Sequence, residues 1–153
     1  MSWVKLENRV GIQAPAETIW AIVSDIGSWS KWCALYPKAE GVVRMGAELV
    51  LDVAVPGQPV RSIKPVVVDW VPNEQLLWRL SMLGGLVKST RYFEIEELAS
   101  GACIFANGEM FEGLLGPQVA KRLSAPLKAA FRDMGEAVKR LAEEAAPEEV
   151  AGG

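Results

Sequence analysis

Residues 76–93 read LLWRLSMLGGLVKSTRYF, and this stretch decides the fold. Gly84-Gly85 separates two alternating runs, and a two-residue turn there pairs Leu83 with Leu86. Carried outward, that pairing sets Trp78 against Arg91 and Leu76 against Phe93 on one face of an antiparallel hairpin. The neighbouring turns extend it. A three-residue turn at Ala99-Ser100-Gly101, with Gly101 at positive φ, pairs Leu98 with Ala102. Arg91 then opposes Glu109, Phe93 opposes Asn107, and Ile95 opposes Phe105. A turn at Pro72-Asn73-Glu74 sets Trp70 against Leu76 and Val68 against Trp78. Pairing across Pro56 to Pro59 sets Leu49 against Val66. These turns agree on one face, which collects Leu49, Leu51, Val53, Val66, Val68 and Trp70 with Leu76, Trp78, Leu80, Phe93, Phe105 and Phe111. A slip of one residue would destroy the agreement. The face is apolar except for Arg91, Asn107 and Glu109.

Upstream, Trp3 to Ile12 alternates as a strand with one buried face, formed by Val4, Leu6, Val10 and Ile12. Pro15 opens a helix carrying Ile19, Trp20, Ile22, Val23 and Ile26. Gly27 ends it, and Ser28 caps a short second helix with Trp29, Trp32 and Cys33. Downstream, Gly116-Pro117 opens a long helix. Its stripe of Val119, Leu123, Leu127, Phe131, Met134, Val138, Leu141 and Ala145 covers the apolar sheet face. Pro126 falls inside that stripe, so a kink or a restart with Ser124 as a new cap is expected there, leaving the first turns as a movable gate. One domain over residues 1–145 and a flexible acidic tail over 146–153 are expected.

Composition narrows the chemistry. The 153 residues carry 16 Lys+Arg, 19 Asp+Glu and no histidine, for a net charge of −3. No basic block supports nucleic-acid binding. The lack of histidine removes Ser-His-Asp and Cys-His systems and argues against a zinc or iron site. Neither a metal nor another cofactor is expected. Cys33 and Cys103 have no partner spacing and read as reduced, buried residues. No apolar run approaches ~18 residues, so no membrane span is expected. The strand-like N-terminus suggests no signal peptide, and a cytoplasmic location is expected.

The stretch Ala14-Pro15-Ala16-Glu17-Thr18-Ile19-Trp20, with Asp25, Trp29, Trp32 and Pro37, resembles the opening of the START-like, Bet v 1-like (SRPBCC) superfamily. The likeness is to bacterial polyketide cyclase/dehydrase-type proteins. It continues in Val68, Trp70, Pro72, Leu76 and Trp78, then Phe93, Ile95 and Gly101, then Glu109, Phe111, Gly113 and Leu115. The resemblance implies an α+β helix-grip fold. A seven-stranded curved antiparallel sheet would wrap a long C-terminal helix, with two short helices between strands one and two. It also implies a cavity between sheet and helix that takes a lipid, polyketide or aromatic metabolite. At the Arg91 position many relatives carry histidine, so histidine-based acid/base chemistry is closed to this chain.

Candidate ligand-binding residues are Trp32, Trp78, Arg91, Phe93, Phe105, Asn107, Glu109, Phe111, Leu123, Leu127 and Phe131. Trp29, Trp20 and Trp70 read as core, and Trp78 is placed to stack on the Arg91 guanidinium. Arg91 and Glu109 read either as a structural buried pair or as a polar anchor for a ligand carbonyl, hydroxyl or carboxylate. Three functions follow: binding of a hydrophobic small molecule; a cyclase, aromatase or dehydratase with Glu109 as general base; or a protein-interaction domain of the chaperone-activating kind. An arginine partner holds Glu109 ionised, which weakens the enzymatic reading.

Overall fold

The structure, a computed structural model, describes residues 3–151. Strand β1 (Val4–Ile12) leads into α1 (Ala16–Val23), a single 3₁₀ turn at Ile26–Ser28 and α2 (Trp29–Trp32). Then come β2 (Lys38–Glu40), β3 (Val50–Val53), β4 (Arg61–Ile63), β5 (Val66–Val71), β6 (Gln75–Met82), β7 (Val87–Ala99) and β8 (Ala102–Glu112). Helix α3 (Gly116–Ala151) closes the chain. A large antiparallel sheet packs against this long helix, an α+β architecture consistent with the expected helix-grip.

The strand count differs from expectation. Among the described residues eight strands form two sheets, β1-β8-β7-β6-β5 and β2-β3-β4, rather than seven in one. The break is at Lys64-Pro65, between β4 and β5. Proline has no N–H to give a ladder, so a strand running from Arg61 to Val71 cannot stay continuous there. The sheets stay joined by the Glu48–Val66 bridge and by the Leu49 N–H donating to the Pro65 carbonyl at 2.8 Å.

The central register is as the turns dictate: Trp78 opposes Arg91, Leu76 opposes Phe93, Arg91 opposes Glu109 and Phe93 opposes Asn107. The turn details differ. Leu83–Gly85 forms a 3₁₀ turn and the hairpin closes at Met82–Val87, so two further residues belong to the turn. At the far end Leu98 bulges out, and Ala99 pairs with Ala102. A bulge at Val68 brings Val67, not Val68, opposite Trp78. Val67 is buried and Val66 exposed, the reverse of the expected parity. Glu48, not Leu49, meets Val66 for the same reason, a one-residue slip.

Helix α3 runs unbroken through Pro126, without the expected restart at Ser124. Pro126 is half-buried and Arg122, whose carbonyl loses its partner, is exposed, so water can take the vacated bond. With no break, the argument for a separate gate falls away. Ser28 does not cap α2; its hydroxyl donates to the Asp25 carbonyl at 2.7 Å and accepts from Trp32 Nε1 at 3.2 Å. The helical backbone continues to Ala151, and Gly152 and Gly153 lie outside the described residues.

Candidate functional site

The space between sheet and helix is filled at one end and open at the other. At the filled end, Trp29 is fully buried and packs its ring against Tyr36, Trp78 and Phe93 at 5.3–5.4 Å. Its Nε1 donates to the Val23 carbonyl at 3.0 Å. Phe93 continues the stack to Phe105 at 5.6 Å. Trp20 and Trp70 stack on each other at 6.4 Å near the rim. Such edge and tilted ring contacts leave no room for a ligand.

At the open end lies a cavity of about 560 Å³. Val53 of β3 and Ile63 of β4 form one wall, together with Pro65 at the break between the sheets. Trp78, Leu80 and Met82 of β6 form the floor with Val87 and Phe111. Val119 and Leu123 of α3 form the roof. The cavity therefore straddles the seam between the two sheets, which exists because of Lys64-Pro65.

Buried polar groups enter the lining in one place, while Arg61, Lys64 and Arg122 are exposed at its edge. Arg91, Ser89 and Glu109 all line the cavity and are all buried. Cross-strand opposition of Arg91 and Glu109 brings Arg91 Nε to 2.9 Å from Glu109 Oε1. The Ser89 hydroxyl donates to the other carboxylate oxygen, Oε2, at 2.5 Å. Arg91 Nη1 donates to the Tyr36 hydroxyl at 2.8 Å. A buried carboxylate thus has two donors and a buried guanidinium has two acceptors, which is what tolerance of such charges requires. Burial works against the Arg91 charge, but the Glu109 carboxylate and Tyr36 oxygen more than offset it and raise its pKa. Burial pushes the Tyr36 phenol up to about 12, against the pull of Arg91, so it is neutral at neutral pH. The guanidinium lies over the rings of Tyr36 and Phe131, at 5.7 and 5.9 Å, rather than over Trp78.

Of the candidate residues, Trp78, Arg91, Glu109, Phe111 and Leu123 line the cavity. Phe93 and Phe105 belong to the aromatic stack, and Leu127 and Phe131 are buried in the core. Trp32 is half-buried beside Ser28, away from the cavity. Asn107 donates from Nδ2 to the Phe131 carbonyl at 3.1 Å and so ties α3 to the sheet. Ser89 and Tyr36 complete the polar cluster. Ser89 shares the parity of Arg91, which is the signal that could have found it. Tyr36 comes from a loop with no periodicity to read. Asp52 and Tyr92 lie outside the cavity; Asp52 accepts from Ser62 at 2.6 Å and Tyr92 lies 5.2 Å under Lys5. Both cysteines are free and buried, and burial raises the Cys33 thiol to about 11. No group of side chains suited to a metal is found among the described residues.

A family model described as polyketide cyclase / dehydrase and lipid transport matches residues 4–146. The chain belongs to that family. Three solved structures share the family fold. A START superfamily protein from Mycobacterium smegmatis is 22% identical with a TM-score of 0.71, over 93% of this chain and 99% of that one. An aromatase/cyclase from a Streptomyces species is 17% identical with a TM-score of 0.68, over 99% of each chain. Norcoclaurine synthase from Thalictrum flavum, bound to dopamine and hydroxybenzaldehyde, is 14% identical with a TM-score of 0.70, over 94% of this chain and 88% of that one. Among curated proteins no sequence matches.

Proposed function

We propose that this member of the family binds a hydrophobic small molecule in the cavity at the seam, with the Arg91–Glu109–Ser89 cluster holding its polar end. The observation that carries the reading is a mostly aliphatic and aromatic cavity with one buried, fully partnered polar cluster in its wall. Apolar pockets with a few convergent polar groups are the usual form of a ligand site. A volume of about 560 Å³ suits a molecule of lipid-fragment or aromatic-metabolite size. Burial of ligand carbon supplies the driving force, at ~25 cal/mol per Å². Trp78 lines the same wall, and its Nε1 has no hydrogen-bond partner among the described residues, which leaves a donor for a ligand oxygen.

Native mass spectrometry of the freshly purified chain tests the proposal, together with displacement of an apolar dye by fatty acids and polycyclic aromatics. A bound or displaceable apolar ligand is expected. Leu123→Trp, which fills the roof of the cavity, should abolish it. Binding unaffected by Leu123→Trp, or no binding to any probe, rejects this site.

A further inference from the structure

We infer that the mouth of the cavity is a docking surface for an anionic lipid bilayer. Four loops and turns meet at this mouth. They are the β3–β4 loop, the β6–β7 turn, the β8–α3 connection and the first turns of α3. The Leu115 N–H donates to the Leu86 carbonyl at 2.9 Å, which joins the second to the third. Arg61 Nη2 reaches Met82 Sδ at 3.7 Å, which joins the first to the second.

The described residues include nine exposed large hydrophobics; of these Leu83 lines the cavity, and Val60, Leu86 and Leu114 stand on the loops named above. Leu114 is 78% exposed and Leu83 is 62% exposed. Leu83 also holds a left-handed backbone, φ 54, that leucine rarely adopts. Leu83 and Leu86 share the β6–β7 turn, and Leu114 stands on the adjoining β8–α3 connection, all three with exposed side chains. A protein partner would need a matching set of pockets, whereas a bilayer accepts each side chain independently.

Charge supplies the second, independent observation. Arg61, Lys64 and Arg122 line the cavity, are exposed and have no ion pair among the described residues. Glu109, the carboxylate in that lining, is already paired with Arg91, and Glu112 faces Lys88 across the outer side of the sheet. The mouth is therefore cationic on a chain whose net charge is −3. Exposed apolar side chains beside unpaired cations are the make-up of an interfacial binder of anionic membranes. No helix among the described residues is long and apolar enough to cross a bilayer, so the contact is with the surface. Docking does not require that the cavity hold a ligand, and the two properties separate experimentally.

The test is co-sedimentation of the full chain with phosphatidylcholine vesicles, with and without about 30 mol% phosphatidylglycerol, at low and high salt. Partition onto the anionic vesicles, lost at high salt, is expected. Replacing Arg61, Lys64 and Arg122 by Gln should weaken partition by roughly fivefold per charge. The pair Leu86→Asp and Leu114→Asp, which lie outside the cavity lining, should weaken it by at least about tenfold while dye binding and the melting temperature stay unchanged. No partition onto anionic vesicles, equal partition onto neutral ones, or full partition by either variant overturns the inference. So does capture of a purified acidic protein by a chain that ignores the vesicles. Failure of dye binding alone rejects the ligand reading and leaves docking standing.

Discussion

Replacing Glu109 by Gln tests the physics of the polar cluster with almost no change in shape. The amide oxygen can still accept from Arg91 Nε, and the amide nitrogen can donate to the Ser89 hydroxyl, which now accepts. No hydrogen bond need be lost; only the negative charge is. Arg91 remains charged and 8% exposed, with Tyr36 as its other acceptor. Removing one partner of a buried pair outright costs about 3–5 kcal/mol. Because the acceptors persist, the loss here should be smaller, about 2–3 kcal/mol. For a chain of this size that lowers the melting temperature by roughly 5–10 °C. The double variant Arg91→Met with Glu109→Leu removes both charges, and Ser89 can turn to water in the cavity. It should lie within about 1 kcal/mol of the parent, more stable than Glu109→Gln alone. Calorimetry and urea titration read both. An unchanged midpoint for Glu109→Gln would mean the pair is solvated and refute the burial argument. A double variant as unstable as the two single variants combined would refute the claim that unpaired charge is the cause. If the cluster also orients ligand, Glu109→Gln should weaken polar-headed ligands more than purely aliphatic ones, and equal loss would reject that role.

Tyr36→Phe deletes the Nη1 acceptor and should cost about 1–2 kcal/mol by urea titration, with no cost if water replaces the phenol. Gly108→Ala places a Cβ 2.3 Å from the Leu6 carbonyl oxygen, so β1 must shift; a loss of about 3 kcal/mol or more is expected, and a wild-type melting curve would contradict the packing. Burial raises the Tyr36 phenol from 10.0 to about 12 and the Cys33 thiol from 9.0 to about 11. Both are neutral in the fold and ionise more readily unfolded, so their stabilisation is complete below about 9 and is lost as pH rises through 12. Urea midpoints should fall across that range, less steeply in Tyr36→Phe. Equal slopes would exclude Tyr36.

The register of β6, β7 and β8 was legible because the turns at Gly84-Gly85 and Ala99-Ser100-Gly101 each set a pairing, and the two pairings bury one and the same face. No such agreement guards Val66-Val67-Val68, where three valines in a row look alike in either parity. A bulge at Val68 leaves the composition of the strand unchanged, so nothing in the text marks it. The charged pair Arg91–Glu109 was readable as the exception on an apolar face. Its extension to Tyr36 depends on a loop, and loops carry no period. The extent of the cavity was not readable either, because Phe93 and Phe111 have the same parity and the same chemistry. What separates them is Trp29, which arrives from α2 to fill the space over Phe93 and leaves Phe111 facing the void.

The unbroken α3 has a mechanical consequence. It is fastened in its later turns: Asn107 holds the Phe131 carbonyl, Gly135 presses against Asn8, Lys139 Nζ reaches the Gly11 carbonyl at 3.0 Å and Glu143 takes the Gln13 N–H at 2.8 Å. From Phe131 back to Val119 the rod spans about 18 Å over the cavity. Its other end is held as well: the Leu115 N–H donates to the Leu86 carbonyl at 2.9 Å, and Gly116 sits against the Phe111 backbone. A rod supported at both ends bows rather than swings, and Pro126, where the backbone bond to the Arg122 carbonyl is missing, lies between the two supports. The roof therefore rises as a whole only when one support lets go, the Asn107–Phe131 bond at one end or the Leu115–Leu86 bond at the other.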